Sequence, residues 1–84
     1  MSEPQNTGIK MYGTNWCGDT RRARAVFDRN QIDYEYIDID KNADGKAYVQ
    51  SVNNGMRSVP TILFPDGSIL VEPSNSELEY KLGL

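Results

Sequence analysis

The sequence of 84 residues predicts one α/β domain, a four-stranded mixed sheet flanked by three helices in the order β-α-β-α-β-β-α. Three observations lead there. Short apolar runs of strand length alternate with helical periodicity over the first half of the chain. A strand-helix-strand opening requires parallel pairing with a right-handed crossover. Further on, two apolar runs separated by Pro65-Asp66-Gly67 read as a hairpin, which adds antiparallel strands. A chain of this length holds one modest core and not two.

Residues 1–8 are polar, carry Pro4 and Gly8 and show no periodicity; they read as a flexible tail ahead of a single domain at 9–84. Ile9, Met11 and Tyr12 form the first strand, ended by Gly13. From Cys17 the pattern turns helical, with Ala23, Val26 and Phe27 at i, i+3, i+4 and Asn30 placed as a left-handed cap. Residues 34–39 (Tyr34 to Ile39) are aromatic and β-branched and predict the second strand. A second helix is expected from about Asn42 to Asn54, with Tyr48, Val49 and Val52 on one face and Gly55 terminating it. Residues 61–64 and 68–71 are the hairpin strands. Ser74-Asn75-Ser76-Glu77 is a capping-box pattern opening the last helix, with Leu78 and Leu82 one turn apart.

Composition narrows the function. The chain is 38% hydrophobic and 25% charged with net charge −3, ordinary for a soluble protein and wrong for nucleic acid, whose phosphates need a basic surface. No Lys/Arg run suits an anionic membrane, and no apolar stretch approaches 18 residues; a cytoplasmic monomer is expected. One cysteine cannot form an internal disulfide, and without histidine an ordinary Cys/His zinc site cannot be built, so no metal ligands are assigned. Residues 40–45 (Asp40 to Gly45) match the first half of an EF-hand loop. Ser51 stands where the bidentate glutamate belongs, and the segment reads instead as a turn and helix start.

The chemistry concentrates in Trp16-Cys17-Gly18-Asp19-Thr20. By residue type alone a single cysteine reads as a small buried hydrophobe. Its position between Trp16 and Gly18, at a helix start, argues for exposure instead. There the unpaired N–H groups and the dipole favour an anion, so the thiol pKa is expected below its ordinary value of about 8.5. Arg21 and Arg22 add positive charge nearby, and Thr20 is placed to donate its hydroxyl to the sulfur. Trp16 suits either a groove wall or a loop anchor. Pro60, by itself, reads as a strand-start proline.

Residues 12–18 (Y-G-T-N-W-C-G), 53–61 (N-N-G-M-R-S-V-P-T) and 64–68 (F-P-D-G-S) together resemble glutaredoxins, and more closely the mycoredoxin and NrdH-redoxin branch of the thioredoxin superfamily. The resemblance runs in register from about Ile9 to the C-terminus. It implies a thioredoxin/glutaredoxin fold, a cis bond before Pro60 facing the thiol, and a Val59 backbone that pairs with a bound thiol as an added strand would. Taking the residues and the resemblance together, the expected site is Cys17 and Thr20 as catalytic residues, Arg21 and Arg22 tuning the thiol, and Trp16, Arg57, Ser58, Val59 and Pro60 binding substrate.

Two departures matter. Thr20 stands where dithiol relatives carry the resolving cysteine, which leaves a monothiol cycle. Cys17 would attack S-thiolated proteins and take a low-molecular-weight thiol (glutathione, mycothiol or bacillithiol), which a second thiol molecule then removes. Before the last helix, residues 71–74 (V-E-P-S) replace the family's glycine pair. Glu72 there would repel a ligand carboxylate, whereas Ser74 and the helix start would attract one, and Arg57 is the better charge partner. The alternative reading is a non-enzymatic thiol-dependent binding module, carrying either an iron-sulfur cluster or a partner's extended segment. Against the cluster, residues 18–20 are not the G-F-S of the cluster-binding monothiol group. A likeness of the C-G-x-T-R run to glutaredoxin-like arsenate reductases lacks the extra arginine-bearing helical region.

Overall fold

The structure is a computed structural model that describes residues 7–84; residues 1–6 of the expected tail lie outside the described residues. Thr7 is tied to the domain, its hydroxyl donating to the Asp33 carbonyl at 2.6 Å. The elements are β1 (Lys10–Gly13), α1 (Gly18–Arg29), β2 (Glu35–Asp38), α2 (Ala43–Val52), β3 (Thr61–Leu63), β4 (Ile69–Val71) and α3 (Asn75–Leu82). The sheet order is β2-β1-β3-β4, with β1 parallel to β2 and antiparallel to β3, and β3 antiparallel to β4. This is the expected α/β architecture.

Successive side chains of β1 point to opposite faces and seed two cores. Met11 joins Ala23, Val26 and Phe27 of α1, Ile62 of β3 with Phe64 just after it, and Leu78 of α3 on one face. Tyr12 joins Ile39, Val49 and Val59 on the other, where Cys17 packs at the edge. Each large apolar side chain buried this way contributes about 1.5–3 kcal/mol. The capping box at Ser74 forms as the sequence predicts, with Glu77 bonding the Ser74 N–H and the Ser74 hydroxyl bonding the Glu77 N–H.

Two local expectations are corrected. The left-handed residue after α1 is Gln31 (φ 55°); Asn30 has φ −100° and spends its amide on the Val26 carbonyl at 2.7 Å. In α2 the buried positions are Gly45 and Val49, while Val52 is exposed. Gly45 lets the helix approach the sheet, since a Cβ there would meet the Ile37 Cγ2 at 2.7 Å.

Candidate functional site

The site is built where the C-terminal ends of the parallel strands β1 and β2 meet the loop entering β3. After Gly13 the chain turns, with the Cys17 N–H bonded to the Thr14 carbonyl, and Cys17 becomes the N-cap of α1. Its carbonyl takes the first helical bond, from the Arg21 N–H at 3.1 Å, and its side chain makes no cap bond. The sulfur is therefore free to face across the groove, where the thiol donates to the Val59 carbonyl at 3.8 Å. The Val59–Pro60 bond is cis, as the resemblance implied.

The S-V-P loop is pinned from below. The Thr61 hydroxyl donates to the Ser58 carbonyl at 2.7 Å and accepts from the Asn53 amide at 3.1 Å. Asn53, the C-cap of α2, also bonds the Val49 carbonyl, so the end of α2 and the loop hold one position. On the other side, Pro60 offers its carbonyl to the Glu72 N–H at 2.8 Å, and Glu72 adopts a left-handed φ of 48° to donate it.

Thr20 is fully buried, and its hydroxyl has no hydrogen-bond partner among the described residues. The bond to sulfur expected from the i+3 spacing is not made. Thr20 instead packs under Gly13, where a Cβ would come within 2.5 Å of the threonine methyl carbon. A bare glycine at the end of β1 is what lets the first turn of α1 sit this close. Arg22 is committed elsewhere as well. Its guanidinium bonds Asn75 Oδ1 at 2.7 Å, the Pro73 carbonyl at 3.3 Å and Asp19 at 3.3 Å, fastening α1 to the start of α3. Arg21 is exposed on α1.

Trp16, Arg57 and Val59 are brought together. With Thr14, Ile39 and Asp40 they line a recess of about 210 Å³ beside the sulfur's loop. Thr14 is buried, and its hydroxyl has no partner among the described residues. Arg57 and Asp40 also line an adjoining recess of about 370 Å³ with Lys41, Lys46 and the start of α2. A larger apolar recess between β4 and α3 includes neither Cys17 nor Val59 in its lining.

Several residues that sequence reasoning passed over hold this arrangement. Arg24 lies 3.8 Å over the Tyr36 ring, and the Tyr36 hydroxyl donates to Asn15 Oδ1 at 2.9 Å. Burial pushes the Tyr36 phenol pKa up from its ordinary value. Asn15 in turn reaches Asp38, and the Trp16 indole N–H donates to Asp40 at 2.8 Å. The available signal was topological: parallel β1 and β2 must bring residues 14–17 beside 38–40.

A family model described as Glutaredoxin matches residues 9–69. The chain is 42% identical over 74 residues to "Putative glutaredoxin Rv3198A" of Mycobacterium tuberculosis, covering 88% of each chain. It is 32% identical over 76 residues to Mycoredoxin 1 of Corynebacterium glutamicum, covering 90% of this chain and 94% of that one. The crystal structure of a glutaredoxin from Archaeoglobus fulgidus superposes with a TM-score of 0.71 at 26% identity, covering 88% and 84%. No helix among the described residues is long and apolar enough to cross a membrane. With its thiol at a helix start, its facing cis-proline and relatives along nearly its whole length, this chain belongs to the glutaredoxin family and resembles its mycoredoxin-like branch.

Proposed function

We propose that the protein is a thiol-disulfide oxidoreductase working with one sulfur, on protein mixed disulfides of a low-molecular-weight thiol. The Cys17 thiolate attacks the small-thiol sulfur, the protein thiolate leaves, and Cys17 carries the small thiol as a mixed disulfide. A second small-thiol thiolate attacks the sulfur of the bound small thiol, releasing the symmetric disulfide and the Cys17 thiolate. The observation that carries this reading is Thr20. The place of a resolving sulfur is filled by a buried threonine packed on Gly13, and Cys17 is the only cysteine.

In this reading the small thiol lies over the recess between Trp16 and Arg57, with its backbone-like part along Val59. The cycle needs no second subunit and no bound cofactor. The test is reduction of an S-thiolated protein with glutathione, mycothiol or bacillithiol as co-substrate. Turnover saturating in one thiol and abolished in Cys17→Ser is the expected result. No turnover with any of the three, together with iron and visible absorbance after anaerobic purification, would favour a cluster-carrying module instead.

A further inference from the structure

The Trp16 ring is 71% exposed, yet its indole N–H is engaged with Asp40 Oδ2 at 2.8 Å, and no other side-chain hydrogen bond of Trp16 is seen among the described residues. A large aromatic on a turn, with little packing around it, samples several rotamers unless something selects one. From this bond we infer that Asp40 is a positioning residue. Its carboxylate holds the Trp16 ring as the outer wall of the recess beside Cys17, and so sets affinity for the mixed disulfide. This rests on the reading of Cys17 as the nucleophile.

The placement follows from the fold. Gly13 pairs with Asp38, and the Ile39 N–H donates to the Gly13 carbonyl at 3.0 Å, so the turn after β2 lies directly beside the loop bearing Trp16. Asp40 is itself fixed, its N–H bonded to Asp38 Oδ1 at 3.0 Å, which leaves its side chain for the indole. Ring and carboxylate then line the same recess as Arg57 and Val59. Val59 also supplies the carbonyl that meets the sulfur. A wall fixed before the ligand arrives lowers the ordering cost of binding and leaves the chemical step unchanged, which separates KM from kcat.

Trp16 is the only tryptophan, so its fluorescence reports this ring alone. Anisotropy and acrylamide quenching are measured for the wild type, Asp40→Ala and Asp40→Asn. KM and kcat for mixed-disulfide reduction are measured for these and for Trp16→Phe with and without Asp40→Ala. Asp40→Ala is expected to lower anisotropy, increase quenching and raise KM about fivefold with kcat within twofold, the scale of one such hydrogen bond. Asp40→Asn, which keeps an acceptor oxygen, should restore both. In the Trp16→Phe background, which lacks the N–H, Asp40→Ala should leave KM unchanged. Unaltered anisotropy in Asp40→Ala, or an equal rise in KM without the indole, overturns the inference. If the wild type itself does not turn over, the reading of Cys17 fails, and the anisotropy comparison still decides whether Asp40 holds the ring.

Discussion

Two helix starts flank the groove of Cys17, and they are finished in opposite ways. At α3 the capping side chains are used within the chain: Ser74 and Glu77 cap each other, and Arg22 takes Asn75 and the Pro73 carbonyl. The Ser74 hydroxyl, read from the sequence as part of an anion site, is engaged by the Glu77 N–H, and exposed Glu72 lies beside it. At α2 the cap is a single Asn42 bond to the Gly45 N–H, and Lys41, Lys46 and Arg57 form no ion pair among the described residues. They line open recesses instead. The difference separates a flank whose charges are bonded within the fold from one whose charges face open recesses, and in the proposed function the open flank is the one that binds.

The sharpest way to break that comparison is Gly13→Ala. The new Cβ meets buried Thr20, so the first turn of α1 must shift, at a cost of about 2–3 kcal/mol in chemical unfolding. Unchanged stability would show that Thr20 does not fix the helix start. The paired substitutions Arg22→Ala and Arg57→Ala come next. Arg22→Ala should lose about 1 kcal/mol of stability with turnover within twofold, because it severs α1 from α3. Arg57→Ala should leave stability within about 0.5 kcal/mol and raise KM about threefold, as loss of an exposed contact to ligand does. The reverse pattern would exchange the two flanks.

Thr20→Val is a smaller test. Removing a buried hydroxyl that has no partner among the described residues, at nearly constant shape, should stabilise the fold by about 1 kcal/mol and leave reduction of the mixed disulfide intact. A large loss of activity would restore the catalytic role that the i+3 spacing suggested.

The smallest effect is acid sensitivity at α3. The bond from the Ser74 N–H holds the Glu77 carboxyl below its ordinary value of 4.5. The folded chain therefore binds this proton more weakly than the unfolded chain does. Its stabilisation is complete above 4.5 and is lost as pH falls through the lower, folded value. Thermal unfolding between pH 7 and pH 3 should show a smaller drop in Tm for Glu77→Gln than for the wild type. An equal drop would mean the box contributes nothing through its charge.

How much of this was legible follows from what each residue type advertises. Ala23, Val26, Phe27 and Leu78 carry their burial in their periodicity, and Ser74-x-x-Glu77 carries its cap in its chemistry; all sit as expected. Gly45 and Thr20 are core positions that no hydrophobic pattern marks; with Gly45 outside the pattern, Val52 reads as part of a buried face of α2 that it does not occupy. Cys17 and Pro60 were readable because their neighbours name them. Asp40 was not, since its partner Trp16 is 24 residues away and only the parallel pairing of β1 with β2 brings them together. Arg22 shows the converse: its nearness to Cys17 in the sequence says nothing of the bonds to Asn75 and Pro73 that tie α1 to α3, because those partners are 53 and 51 residues away.

The central claim is that one sulfur carries the cycle and a second molecule must finish it. The most direct measurement is the intact mass of the protein after mixing with an S-thiolated substrate in the absence of free small thiol. The account predicts one equivalent of small thiol on Cys17, stable until free thiol is added and then lost. Full turnover without added thiol, or no adduct on Cys17 while activity persists, would contradict it.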